Sequence, residues 1–340
     1  MHILLKEDLE REALADIGQK LLQEKKIAVV TLAGGSGSRL GYDKPKGTFV
    51  LETARSPRLS LFQRQAKQII PAGMPWVLMV SNETMHETIE HLQKKVLSEQ
   101  DEVFVIVQQD VEALDLNNRS LLLDANNAPI TVPNGNGCVF KALRAGAHIC
   151  VRKSAISHKN TSIVERLSGV KYFNVVSVDN VLVKIGDPVM AGYAQTHSLE
   201  VTSAGIPEPE NKKMGVFEVV KNKIAVREYT YDSSDSQPVV NAKGAKLSNI
   251  ANHLISKEYI QSISVEDIPQ HEAIKKIPCK ANMHPTAPNA IKRELFIFDG
   301  FQWAQNHGVV EYEQSAYEGL KNKEGDADSV KTCIQALDMQ

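Results

Sequence analysis

The sequence has no close pair of cysteines. Its four, Cys138, Cys150, Cys279 and Cys333, lie far apart, with neither a Cys-x-x-Cys pair nor a His-rich neighbour. That distribution argues against a zinc site and against a disulfide framework, and a reducing, cytoplasmic home is the natural expectation. No stretch of eighteen apolar residues occurs, and Met1 to Glu10 carries acids rather than a long apolar core, so neither a membrane span nor a secretory leader is expected. Net charge is also lacking: 39 Lys and Arg stand against 41 Asp and Glu, a formal balance of −2. This offers no bulk attraction for nucleic acid or anionic membrane, so any affinity for phosphate must be local. Internal repeats and low-complexity segments are absent. The 340 residues, with ordinary apolar content, suit one large α/β catalytic domain with small appendages.

One local feature dominates. Ile27 to Leu32 is a short apolar, β-branched run, the pattern of a strand buried on both faces, and it empties into a loop with four glycines between Gly34 and Gly41. Glycines let backbone N–H groups turn toward an anion without side-chain obstruction, while Arg39 and Lys46 bracket the loop with positive charge. The pattern suits a polyphosphate. It is not a Walker loop, because Gly41 is followed by Tyr42 and Asp43 rather than Lys and Ser or Thr. A dinucleotide fingerprint fails as well, since Leu40 stands where a third glycine is needed and Lys44-Pro45-Lys46-Gly47 leaves no clean helix start.

Around that loop the chain alternates. Asp8 to Lys26 has helical apolar spacing and leads into the first strand, and Leu59 to Ile70 is a second helix. Trp76–Val80 and Val103–Val107 are buried strands, the first ending at Ser81-Asn82, where a helix can be capped. Tyr172 to Val178 is another strand, followed by Asp179-Asn180. Strands alternating with helices predict a mostly parallel mixed sheet with helices on both faces, and ligands in such folds sit beyond the carboxyl ends of strands. The glycine loop, Gln108-Gln109 and Asp179-Asn180 should therefore converge on one crevice. Farther on, Gly215–Val220 and Ile224–Tyr229 form a plausible hairpin, Asp232–Pro238 a solvated loop, and Glu324–Gln340 a terminal helix with its approach.

Gly34-Gly35-Ser36-Gly37-Ser38-Arg39-Leu40 with Pro45-Lys46-Gly47 resembles the signature of sugar nucleotidyltransferases. Pro133–Gly137, Val178–Lys184, Asn249–His253 and Asn289–Asp299 resemble, in the same order, blocks of the eukaryotic-type UDP-N-acetylhexosamine pyrophosphorylases, so that the similarity spans about residues 27 to 322. Ser36, Ser38, Asn134 and Ala290 depart from the residues usual in that family. The resemblance implies a Rossmann-like nucleotidyltransferase fold with an N-terminal helical segment (1–26), a catalytic domain (27–300) and a C-terminal subdomain (301–340) closing over the site. It also implies the reaction of UTP with GlcNAc-1-phosphate, or its GalNAc isomer, giving UDP-GlcNAc or UDP-GalNAc and pyrophosphate. A monomer needing Mg²⁺, or Mn²⁺ in its place, is expected.

Both reactants are anions, so positioning and charge neutralisation should dominate catalysis, and no strong base is required because a sugar phosphate is already ionised. Arg39 would hold the leaving β- and γ-phosphates and Lys46 the α-phosphate; their bland reading is two surface cations. Asp179 is the metal candidate, with a helix N-cap as its alternative. From the resemblance, Lys321 and Lys292 match phosphate-contacting lysines. Leu32, Ala33, Gly34, Gly35, Gln109 and Gly135 would bind the nucleotide. Asn136, Gly215, Glu228 and Asn249 would line the sugar pocket, with Phe296 and Phe298 alternating on one strand face as its aromatic wall, or else serving as core. His253 reads better as a satisfied core histidine than as a base. Rival readings are a UDP-glucose or broad UDP-sugar pyrophosphorylase and a catalytically silent nucleotide-sugar sensor.

Overall fold

The computed structural model describes residues 2–54, 58–212, 214–228 and 236–340. The chain enters through a strand, His2–Leu4 (β1), turns into helix Arg11–Gln23 (α1) and continues as Ile27–Leu32 (β2). Helix Leu61–Ile69 (α2), strand Trp76–Val80 (β3), helix Asn82–His91 (α3) and strand Val103–Val107 (β4) follow. After helix Val139–Arg144 (α4) come His148–Arg152 (β5), Ala155–Lys159 (β6), Tyr172–Ser177 (β7) and helix Pro188–Thr196 (α5). Next are Val201–Pro207 (β8) and the hairpin Val216–Val220 (β9) with Lys223–Arg227 (β10). Leu247–Ser256 (β11), Gln270–Lys275 (β12), Ala290–Leu295 (β13), His307–Glu311 (β14) and helix Val330–Asp338 (α6) complete the chain. Tyr229 and most of the expected loop Asp232–Pro238 lie outside the described residues.

The main sheet is mixed, with a path β1-β14-β8-β11-β7-β2-β3-β4-β5-β6. Its centre, β7-β2-β3-β4, is parallel, and antiparallel pairs flank it. The apolar run of β2 is buried on both faces, as its composition requires. Ile27 and Val29 point into a core with Leu14 of α1, Phe62 of α2, Met190 of α5 and Cys333 of α6. Ala28 and Val30 point into a second core with Val139 and Phe140 of α4 and with Tyr259. Helices thus cover both faces. The cap anticipated after β3 is present: Ser81 Oγ accepts the Thr84 N–H at 3.2 Å, holding the start of α3 at the carboxyl end of the sheet.

The expected division at 26 and 300 does not match the sheet. Ile3 pairs with Val309, so the two chain ends are built into one sheet edge rather than appended to it. The cause is burial: Leu4 is fully buried, and β14 is buried along its length between β1 and β8. Among the described residues no helix is long and apolar enough to cross a membrane.

Helices α1 and α5 approach backbone to backbone, which glycine alone permits. A Cβ on Gly18 would lie 1.8 Å from the Pro188 carbonyl oxygen, and one on Gly192 would lie 1.8 Å from that of Leu14. Gly192→Ala should therefore destabilise the fold by roughly 1–3 kcal/mol through overpacking. Gly146→Ala, with nothing within 4 Å of the added carbon, should stay within roughly 0.5 kcal/mol. Denaturant unfolding of the two variants checks this; equal stabilities would contradict the close contact.

Candidate active site

The parallel strands β2, β3, β4 and β7 end around a cleft of about 440 Å³. The glycine loop forms its rim. Ser36–Gly37 pair with Tyr42–Pro45 as a small ribbon, Ser38–Leu40 make a 3₁₀ turn, and Gly41 closes it at φ +65°. Backbone bonding then fixes the lysine, because the Lys46 N–H donates to the Gly35 carbonyl at 3.1 Å. Gly47 must be small: a Cβ there would stand 2.1 Å from the Phe62 ring. Arg39 is exposed along the cleft, whereas the Lys46 side chain is only 17% exposed.

Across the loop stands Asp179, just beyond β7. Its Oδ2 lies 3.3 Å from Lys46 Nζ and its Oδ1 accepts the Ser177 hydroxyl at 2.5 Å. Burial works against its charge, but the ammonium groups of Lys46 and Lys321 and the Ser177 hydroxyl hold its pKa below the ordinary carboxylate value. The helix-cap alternative fails, since α5 begins nine residues later and is capped by Asp187. A buried chain braces this corner from behind. Trp76 Nε1 donates to Thr31, Thr31 to Gln65, and the Gln65 amide to the Ser177 carbonyl, at 2.9, 2.7 and 3.2 Å. Neighbouring Asn180 is bound to the C-terminal segment through the Ala316 carbonyl and the Glu318 N–H, and the Asp179 carbonyl accepts the Leu320 N–H at 2.8 Å.

The facing wall is Pro133 to Asn136. Gly135 sits at φ +79°, and a Cβ on it would collide with the Leu295 carbonyl oxygen at 2.4 Å. Glycine there lets the loop lie against the end of β13. The Asn136 side-chain oxygen accepts the Ile297 N–H at 3.0 Å, which leaves one oxygen lone pair and the amide N–H groups for a ligand. Lys292 lines the same wall in a 2.8 Å pair with Glu294. Leu32, Gly34 and Gly35 also line the cleft, but the Ala33 N–H is already spent on the Met79 carbonyl at 2.8 Å.

The glutamine assignment needs correction. Gln108 is buried and faces the loop: a Cβ on Gly34 would lie 2.8 Å from its carboxamide oxygen. Gln109 is exposed and lines a different cleft with Asn134, Cys138 and Lys141. The reason is strand alternation. Gln108 N–H donates to the Val80 carbonyl at 2.8 Å, extending the β4 register one residue, so the next side chain points the other way.

Several of the remaining residues form a second group outside this cleft's lining. Gly215 accepts the Asn249 N–H at 2.8 Å, and a Cβ on Gly215 would touch the Glu228 carboxylate at 3.5 Å. Asn249 spends its carboxamide oxygen on the Ala251 N–H at 2.9 Å, which holds Ala251 at φ +52° on the edge of the main cleft. Phe296 and Phe298 are not on a strand face. β13 ends at Leu295, a 3₁₀ segment runs from Ile297, and the Ile297 N–H bond to Asn136 diverts the chain. Their rings nonetheless stack, 5.2 Å apart, and His271 adds a third ring 4.7 Å from Phe296 while bonding Asp299 at 2.7 Å. Burial and the Asp299 charge raise the Glu228 pKa. Lys321 joins the groups, its charge acting on both Asp179 and Glu228. His253 is core: it is buried, with Nδ1 2.9 Å from Ser203 Oγ, and burial with neighbouring His307 pushes it down to about 3.

The chain matches the family model described as UTP–glucose-1-phosphate uridylyltransferase over residues 2–286. It is 28% identical to a protein of Encephalitozoon cuniculi named a probable UDP-N-acetylglucosamine pyrophosphorylase, covering 95% of this chain and 89% of that one. A UDP-N-acetylglucosamine pyrophosphorylase of Saccharomyces cerevisiae is 28% identical over 91% of this chain and 67% of its own length. The crystal structure of the uridine diphosphate N-acetylglucosamine pyrophosphorylase from Trypanosoma brucei in complex with inhibitor superposes with TM-score 0.80 at 25% identity, covering 99% of this chain and 71% of that one.

The Lys46–Asp179 pair carries a pH signature. Lys46→Met should cost on the order of 1 kcal/mol of stability at neutral pH. The Asp179 pKa is lower folded than unfolded, so its contribution is present above the unfolded value, near 4, and is lost as pH falls through the folded one. Unfolding measured at successively lower pH should show the difference between parent and variant shrinking below about pH 4. A pH-independent difference would contradict the pair.

Proposed function

The chain belongs to the UTP–glucose-1-phosphate uridylyltransferase family, and from that membership together with its similarity to the UDP-N-acetylglucosamine pyrophosphorylases we propose that it transfers uridylyl from UTP to N-acetylglucosamine 1-phosphate. A phosphate oxygen of the sugar attacks the α-phosphorus, the bond to the β-phosphate breaks, and UDP-N-acetylglucosamine and pyrophosphate result, reversibly. The observation that carries the reading is the Lys46–Asp179 pair, 3.3 Å apart, beneath a glycine loop in a cleft walled by Gly135 and Lys292. With Arg39, Lys46 and Lys292 in its lining, this is machinery for gathering negative charge.

Each residue has an electrostatic task. Arg39 on the rim holds the β- and γ-phosphates, where a planar guanidinium can meet two oxygens. Lys46 faces the α-phosphate and offsets charge on its non-bridging oxygens as the pentavalent arrangement forms. Lys292 and Lys321 receive the sugar phosphate. Gln108 and the backbone of Leu32 to Gly35 read the uracil edge, and Gly215, Glu228, Asn249 and the stacked Phe296 and Phe298 bound the N-acetyl side.

Asp179 fits Mg²⁺: it is a single charged hard-oxygen donor, and that ion is commonly held by one or two carboxylates together with substrate phosphates. Among the described residues no group of three or more His, Cys, Asp or Glu gathers as an all-protein alternative. When bound, the ion supplies charge neutralisation at the phosphates. Asp179 would hold the ion, while Lys46 beside it would face the substrate phosphate. The four cysteines are free and buried, which supports a reducing, cytoplasmic setting, and we read the protein as a monomer.

A panel crossing UTP, CTP, ATP and dTTP with GlcNAc-1-phosphate, GalNAc-1-phosphate and glucose-1-phosphate tests the reading through pyrophosphate release. UTP with GlcNAc-1-phosphate should exceed UTP with glucose-1-phosphate by roughly ten- to two-hundredfold in kcat/KM, the range available from burying an acetamido group. Equal values would favour a UDP-glucose enzyme, and no turnover a silent binder. Lys46→Ala should lower kcat by at least about a hundredfold with a smaller change in UTP binding. An unchanged kcat would remove it from the α-phosphate.

A further inference from the structure

Six side chains of alternating charge run from the glycine loop to the start of α6. Lys46 faces Asp179 at 3.3 Å, and Lys321, next in the chain to Leu320, whose N–H donates to the Asp179 carbonyl at 2.8 Å, donates to Asp328 Oδ2 at 2.9 Å. Asp328 Oδ1 then lies 3.6 Å from Lys212 Nζ, and Lys212 also pairs closely with Glu318. The outer members are deeply placed: the Lys212 side chain is 9% exposed and those of Asp328 and Glu318 are 11% exposed. The Tyr317 ring serves both ammonium groups, 5.2 Å from Lys212 and 5.7 Å from Lys321.

Two cations therefore share one buried carboxylate. Charges removed from water interact strongly, so Asp328 held by Lys321 alone would bind it tightly and keep it from a ligand. Lys212 neutralises part of the Asp328 charge, and as a like charge on the same ring it disfavours further retreat of Lys321. Without it, Glu318 and Asp328 would leave two carboxylates to one ammonium, beside a cleft meant for anions.

We propose that Lys212 is a positioning residue: by sharing Asp328 it keeps the Lys321 ammonium available to the substrate phosphate. This rests on Lys321 receiving the sugar phosphate, as assigned above. The bland alternative is that Lys212 only ties its own segment to the C-terminal one, which would lower stability without a selective effect on phosphate affinity.

The test is steady-state kinetics on the full chain, with thermal melts, for Lys212→Met, Lys212→Arg, Asp328→Asn, Lys212→Met with Asp328→Asn, and Lys321→Met. Lys212→Met should raise the KM for GlcNAc-1-phosphate about tenfold, the scale of one charged hydrogen bond, with kcat changed less. Lys212→Arg should stay near the parent, and adding Asp328→Asn to Lys212→Met should recover most of the loss by releasing Lys321. A folded Lys212→Met protein with unchanged KM, or a loss that Asp328→Asn does not repair, overturns the proposal. If Lys212→Met does not fold, Asp328→Asn alone decides: its KM for the sugar phosphate should fall, and an unchanged or higher value overturns the proposal. A Lys321→Met protein as active as the parent would overturn it by removing the assignment of Lys321. An impaired Lys321→Met beside an unaffected Lys212→Met would leave that assignment and overturn the positioning role alone.

Discussion

The attraction between the Lys46 ammonium and the Asp179 carboxylate ties the glycine loop to the carboxyl end of β7. β2 and β7 are parallel neighbours, with Leu32 opposite Ser177 at their carboxyl ends. From Leu32 the chain enters the glycine loop that delivers Lys46, and from Ser177 it runs directly to Asp179. The Asp179 carbonyl in turn holds Leu320, so the C-terminal segment is fastened to the same spot. Cations gathered in one cleft repel one another. The protein's own carboxylates stand between the lysines, which lets several of them lie close together.

That arrangement explains the rigidity behind the site. Phosphoryl chemistry without a covalent intermediate depends on holding charges in place, and a misplaced ammonium loses much of its effect. The Trp76–Thr31–Gln65–Ser177 chain ties three adjacent strands together by side-chain hydrogen bonds, the first two buried and the last reaching the edge of the cleft. Buried polar groups that are satisfied in this way specify a single geometry, whereas a half-satisfied network would weaken it. The same economy appears in Asn136 and Asn249, each of which accepts a backbone N–H with its side-chain oxygen and thereby shapes the chain beside the cleft.

The parts of this architecture that were legible in the sequence are local. The β2 run, the four loop glycines and the caps at Ser81 declare themselves within a few residues of one another, and so does the β9–β10 hairpin. The site residues named from resemblance fall in two groups, one around the glycine-loop cleft and one around the stacked Phe296 and Phe298, and that division has no local signature. Other features depended on distant partners. Nothing near Ile3 announces that it pairs with Val309, so the ends of the chain read as appendages. Gln108 and Gln109 are chemically equal, and only the register of β4 against β3 decides which one faces Gly34. Phe296 and Phe298 had strand spacing, yet the Asn136 bond to Ile297, 161 residues away in sequence, turns the chain before the pattern can be realised. Lys212 offered no motif, and its place in the ion chain is a product of packing alone.

The central claim is that Lys46 and Asp179 act as one electrostatic unit at the site of uridylyl transfer. A double-mutant cycle on kcat/KM for UTP and GlcNAc-1-phosphate, with Lys46→Met, Asp179→Asn and the two combined, tests it most directly. The account predicts strong non-additivity, the combined variant losing little more than the worse single one, because each substitution already disables the shared unit. Losses that multiply would show two residues acting independently and would contradict it.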